Sequence, residues 1–153
     1  MVTFSTLTEV CKRLNEAKVK YVVIGGFAII LHGFQRATKD IDLLIETSRE
    51  NVVKIKTALR DILPEACAEL AIDDVQKYTV VRMSGENLLV DLMEKVGDID
   101  FSKSTIIEEE IDGIKIPVAD LDTMLKLKKG LRERDQQDLI FLEGKKRYLK
   151  EKK

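Results

Sequence analysis

The stretch that most constrains the fold runs over residues 21–46. An apolar run, Tyr21-Val22-Val23-Ile24, stops at a glycine pair, Gly25-Gly26, which reads as a strand entering a tight turn. Phe27-Ala28-Ile29-Ile30-Leu31-His32 follows, short and apolar enough for a buried helix, with Gly33 placed to cap it in the left-handed conformation. After a linker over residues 34–39, Asp40-Ile41-Asp42-Leu43-Leu44-Ile45 reads as a second strand with two carboxylates at its start.

Strand side chains alternate faces, so Asp40 and Asp42 project to one side, about 6 to 7 Å apart, while Ile41 turns into the core. Two like charges held that close call for a cation. Carboxylate oxygens suit a hard divalent ion, Mg²⁺ or Mn²⁺, and such an ion usually brings a substrate's phosphates with it. At Gly25 and Gly26 the missing Cβ lets the backbone approach a phosphate, and the N–H groups opening the next helix favour an anion.

An Asp-x-Asp alone is weak. Here strand, diglycine turn, short helix and Arg36-x-Thr38-x-Asp40-x-Asp42 follow in order within one unit. In that combination the stretch resembles the core signature of the DNA polymerase β-like nucleotidyltransferase superfamily, closest to its minimal, toxin-like and uncharacterised bacterial and archaeal forms. The resemblance implies an α+β fold, a small mixed sheet flanked by helices. It also implies a third carboxylate on the neighbouring strand, for which Asp91 in Leu88-Leu89-Val90-Asp91-Leu92-Met93 is the well-placed candidate. The bland alternative for Asp91 is a salt-bridged or edge-exposed residue, since a buried carboxylate needs a partner.

The activity implied is Mg²⁺-dependent transfer of a nucleoside monophosphate from a nucleoside triphosphate such as ATP to an acceptor hydroxyl, with pyrophosphate leaving. Two ions roughly 3.5 to 4 Å apart would neutralise the attacking and leaving oxygens. Asp40, Asp42 and Asp91 are the expected metal ligands and catalytic residues, and Asp91 is placed to take the acceptor's proton. Gly25, Gly26, Arg36, Thr38 and Lys126 are the candidate substrate-binding residues. Arg36 has a solvated surface role as its alternative, and Thr38 the simple fixing of a turn. Lys126 is carried over from the family's C-terminal pattern, in which Leu121-Asp122-Thr123-Met124-Leu125-Lys126 leads to Arg132, Arg134-Asp135 and Asp138-Leu139; the spacing departs by about one residue around Gly130 to Arg132.

The 153 residues suggest one domain over 1–153, with a helical C-terminal segment from about residue 118. So short a chain leaves acceptor recognition to a thin rim or to a partner. Charged residues make up 35% of the chain yet the net charge is −1, so no global basic field attracts nucleic acid. Aromatic content of 5% gives a plain nucleic-acid-binding module no support either. Cys11 and Cys67 match no metal or redox spacing, nothing resembles a signal peptide, and no apolar run approaches 18 residues. Together these suggest a cytoplasmic protein.

Elsewhere, residues 6–18 read as an amphipathic helix with a Thr6/Glu9 capping box, and Thr47/Glu50 opens a second helix that Pro64 stops. Residues 64–75 fit either a short helix or a loop. Residues 77–83 and 88–93 read as strands joined by a turn over 84–87, and Gly97-Asp98-Ile99-Asp100, a rival Asp-x-Asp, reads as loop. One or two edge strands are expected within 102–116, turning at Asp112-Gly113, then helices over 120–129 and through Asp138. His32, the only histidine, is expected to pack or cap. The basic run 145–153 is a solvated helix end or an RNA contact. The rival function is a catalytically silent partner protein of a toxin–antitoxin-type pair; RNA such as tRNA, protein or a small molecule is the possible acceptor.

Overall fold

The computed structural model describes residues 3–127 and 133–152, except the side chains of 133–135. In chain order the helices are α1 (Phe4–Glu16), α2 (Gly25–Leu31), α3 (Arg49–Leu59), α4 (Pro64–Glu69), α5 (Asp74–Lys77), α6 (Leu121–Leu127) and α7 (Glu133–Glu151). The strands are β1 (Tyr21–Ile24), β2 (Ile41–Ile45), β3 (Val81–Gly85), β4 (Leu88–Met93), β5 (Lys95–Val96), β6 (Ile99–Asp100), β7 (Ile106–Ile111) and β8 (Ile114–Ala119).

Six strands form one mixed sheet in the order β3-β4-β2-β1-β8-β7, and β5 with β6 makes a separate small hairpin. β1 runs antiparallel to β2 and parallel to β8, while β2 runs parallel to β4. The central strands read as continuous apolar runs because the sheet is covered on both faces. Ile41, Leu43, Leu44, Val90 and Leu92 are fully buried. α1 packs on α3 and β8, α2 on β1 and β2, and α4 on β3. This is the expected α+β architecture.

Local chemistry moves several boundaries. The cap of α1 is Thr3, whose hydroxyl accepts from the Thr6 N–H at 3.3 Å, so the helix starts two residues before Thr6. Likewise Ser48, not Thr47, caps α3 by accepting from the Asn51 N–H. Pro64 stops nothing: α3 ends at Leu59, and Pro64 opens α4, where its missing N–H costs no hydrogen bond. Residues 64–75 thus hold α4 and the start of α5. Lys77 ends α5, which leaves β3 only from Val81. The loop expected at 97–100 is a tight turn between β5 and β6 at Gly97, and the Asp100 carboxylate accepts from the Lys103 N–H in the following turn. β8 is no edge strand, because β7 lies outside it.

Candidate active site

The site is assembled by strand register. Asp42 is paired with Ile24, the last residue of β1, and on its other side with Asp91 of β4. Laterally paired residues share a face of the sheet, so Asp42 and Asp91 point the same way, and Asp40 joins them from just before β2. One carboxylate oxygen from each of Asp40, Asp42 and Asp91 can be chosen so that all three lie within 4.8 Å of one another. Asp91 is 5% exposed.

Three carboxylates at that spacing would repel strongly without a cation, and the chain supplies one. The Arg82 guanidinium donates from Nε to Asp91 Oδ1 at 2.9 Å and from Nη2 to Asp91 Oδ2 at 3.0 Å. Nη2 also reaches Asp40 Oδ2 at 2.8 Å. This is a fork-on-fork pair with a third, shared acceptor. The hydrogen bonds it donates to Asp91, then the charges of Asp91, Asp40 and Asp42, raise the guanidinium's pKa above its ordinary value. Arg82 carried no role in the sequence reading. The signal was present: in a hairpin turning at Glu86-Asn87, Gly85 faces Leu88, and counting back along both strands puts Arg82 opposite Asp91.

The diglycine is not a turn before the helix; it is the first turn of α2. Gly25 has φ +67°, and a Cβ there would lie 2.0 Å from Asp42 Oδ2. At Gly26 a Cβ would lie 2.3 Å from Thr38 Oγ1 and 3.3 Å from Arg36 Nη2. The bend therefore touches the acidic cluster on one side and the feeding linker on the other. Thr38, buried, donates its hydroxyl to the Asp40 carbonyl at 3.3 Å and so shapes the approach to β2.

Arg36 is committed to a partner far along the chain. Its Nη2 donates to Asp138 Oδ2 at 3.2 Å, and its Nε makes an ionic contact with Oδ1 at 3.1 Å. The Asp138 side chain is wholly buried. Lys126 is exposed in the last turn of α6, and among the described residues no hydrogen bond or ion pair joins it to the three carboxylates. Of the associated pattern, Gly130 and Arg132 lie outside the described residues, as do the side chains of Arg134 and Asp135.

His32 is tied into packing. Its Nε2–H donates to the Ala119 carbonyl at 2.8 Å, while Lys145 Nζ donates to Nδ1 at 3.1 Å and to the His32 carbonyl at 2.8 Å. Burial, with the Lys145 charge, holds its pKa below the ordinary value. Cys11 and Cys67 are free and buried, and burial pushes the Cys11 thiol up to about 11.

The model for the family described as nucleotidyl transferase of unknown function (DUF2204) matches residues 3–153. The chain belongs to that family. This nucleotidyl transferase also resembles solved structures. It aligns with lincosamide antibiotic adenylyltransferase LnuA, lincomycin-bound, at 22% identity over 93% of this chain and 97% of that one, with a TM-score of 0.63. An antigenic nucleotidyltransferase-like protein from Paracoccidioides brasiliensis gives 18% identity over 90% and 73%, with a TM-score of 0.60. The nucleotidyltransferase-type protein TM1012 from Thermotoga maritima gives 18% over 97% and 92%, with 0.58. At these identities the likeness is one of fold. No curated protein matches the nucleotidyl transferase by sequence. No helix among its described residues is long and apolar enough to cross a membrane.

Proposed function

We propose that this nucleotidyl transferase moves a nucleoside monophosphate from a nucleoside triphosphate to an acceptor hydroxyl, with Mg²⁺ or Mn²⁺ held by Asp40, Asp42 and Asp91. The observation that carries this reading is the convergence of the three carboxylates within 4.8 Å beside a bend where only glycine fits. The donor set suits the ion: every ligand is a hard oxygen, and a cationic side chain already sits among the carboxylates. A divalent ion there, alone or as one of a pair, would neutralise the triphosphate and acidify the acceptor hydroxyl.

The protein's own groups do the rest. We assign the triphosphate to the backbone at Gly25, half-buried, and Gly26, buried, with Arg36, itself paired with Asp138, standing beside Gly26. Lys126 is assigned to the phosphate side as well. Thr38 holds the linker at Asp40, just ahead of β2, where Asp42 pairs in register with Ile24. As the acceptor oxygen bonds to the α-phosphorus, the α–β phosphoanhydride bond breaks, pyrophosphate leaves with the bonding electrons, and Asp91 takes the hydroxyl proton.

The test is incubation with each labelled triphosphate, Mg²⁺ and a panel of acceptors: a tRNA pool, cell protein, and small hydroxylated compounds, the last suggested by the lincosamide adenylyltransferase. Label transfer that disappears in Asp42→Asn supports the assignment. Full transfer by Asp42→Asn ends it. A second reading, a catalytically silent fold partner of toxin–antitoxin type, is favoured by Arg82, which already satisfies Asp40 and Asp91. Melting temperatures that respond to neither Mn²⁺ nor any triphosphate would select that reading.

A further inference from the structure

We infer that Arg82 is an internal counter-ion that competes with the divalent cation for Asp40 and Asp91, so that metal loading and release of its guanidinium are one exchange. The inference rests on the metal-site reading above and adds a positioning residue to it.

Four observations point this way. First, Arg82 takes both oxygens of Asp91 and one of Asp40, which are oxygens that a cation between these residues would need. Each oxygen has a second lone pair, but a guanidinium and a divalent ion crowded onto the same oxygens repel each other, so each weakens the other's hold. Second, the guanidinium brings a single charge to Asp40 and Asp91 where a divalent ion would bring two, so the exchange strengthens the neutralisation of these carboxylates. Third, β3 is an edge strand and the Arg82 side chain is 51% exposed, so it can swing into solvent without any backbone moving. Asp91, by contrast, lies on the interior strand β4, buried, and cannot leave. Fourth, antiparallel register fixes Arg82 opposite Asp91, so the guanidinium returns to the same oxygens whenever they are vacated.

With no cation bound, Arg82 holds Asp40 and Asp91 at one site despite their repulsion, and so keeps the ligands arranged for the ion. Its cost is affinity, because the ion must displace a charge-assisted fork. A purely structural arginine behaves differently: its loss would let Asp91 and Asp40 drift apart and would weaken metal binding.

The experiment compares Mn²⁺ binding by calorimetry in the full chain, without nucleotide, for wild type, Arg82→Gln and Arg82→Lys. Gln keeps a hydrogen-bond donor and removes the charge; Lys keeps the charge and removes the fork. Arg82→Gln is expected to bind Mn²⁺ about tenfold more tightly than wild type, with Arg82→Lys between them. In wild type, the Arg82 Nε–H NMR signal, assigned by its absence from Arg82→Gln, is expected to shift on titration with diamagnetic Mg²⁺. Circular dichroism and melting in chelator confirm that each variant is folded, and because the side chain is half exposed, at least one should be. Mn²⁺ binding by wild type, with affinity unchanged or weaker in Arg82→Gln, overturns this inference and leaves the metal site standing. Mn²⁺ binding by neither protein overturns both. Binding by Arg82→Gln alone is the strongest form of the expected result.

Discussion

Replacing Gly25 by alanine tests the diglycine bend most directly, and its effect divides into two parts. The backbone part comes from φ +67°, a left-handed conformation that costs an L-residue about 1–2 kcal/mol. The steric part comes from a new Cβ 2.0 Å from Asp42 Oδ2, against the 3.4 Å at which ordinary contact begins, so the carboxylate must retreat by about 1.4 Å. Driving Asp42 off its rotamer adds about 0.5–1.5 kcal/mol. Gly113 is a built-in control. It also has positive φ, +81°, but nothing lies within 4 Å of the Cβ position. The unfolded-state benefit of alanine is common to both variants and cancels in the comparison. Gly113→Ala should therefore lose about 1–2 kcal/mol, and Gly25→Ala about 2–3 kcal/mol, in urea unfolding. The larger difference is functional. A misplacement of about 1 Å at a reacting centre can cost on the order of 100-fold in rate, so Gly25→Ala should lose transfer activity and Mn²⁺ affinity while Gly113→Ala keeps both. Equal stability losses in the two variants, with Mn²⁺ binding intact in Gly25→Ala, would refute the claim that this glycine exists to make room for Asp42.

Three further outcomes are expected. Mn²⁺ at about 100 times its Kd should stabilise the folded chain by roughly 2.7 kcal/mol, seen as a raised Tm that chelator reverses and that Asp40→Asn lacks. Asp138→Ala leaves the Arg36 guanidinium largely buried without its partner and should cost about 3–5 kcal/mol in urea unfolding, whereas the double variant Arg36→Met/Asp138→Leu should recover most of that. His32 is held neutral, with a folded pKa below the ordinary 6.5, so the unfolded chain binds more protons in that range. The resulting stability is complete above about pH 6.5 and is lost as pH falls toward the folded value; urea midpoints for His32→Gln should show a shallower fall over that window.

The carboxylate pair and the diglycine were legible in the sequence because each depends on local rules: alternation along one strand, and the lack of a Cβ where an apolar run breaks. Asp91 was legible only with the family resemblance, since its register against Asp42 is set by a parallel pairing that no local pattern encodes. Helix starts were displaced at Thr6 and Thr47 for a plain reason. Thr3 and Ser48 are equally good caps close upstream, and propensity alone does not choose between neighbouring hydroxyls. The Arg36–Asp138 pair joins residues 102 positions apart, and that distance hid it. Arg82 was different: the hairpin register sets it opposite Asp91, but no motif in its own flanking residues marks it.

The long reach of Arg36 gives the far end of this chain a say in its centre. Asp138 belongs to α7, and the guanidinium it braces stands 3.3 Å from where a Gly26 side chain would begin. Shortening the protein ahead of α7 would not be a cosmetic trim, because it would strip the counter-charge from a side chain lodged against the diglycine, and damage at the tail would be felt at the bend proposed to receive the phosphates.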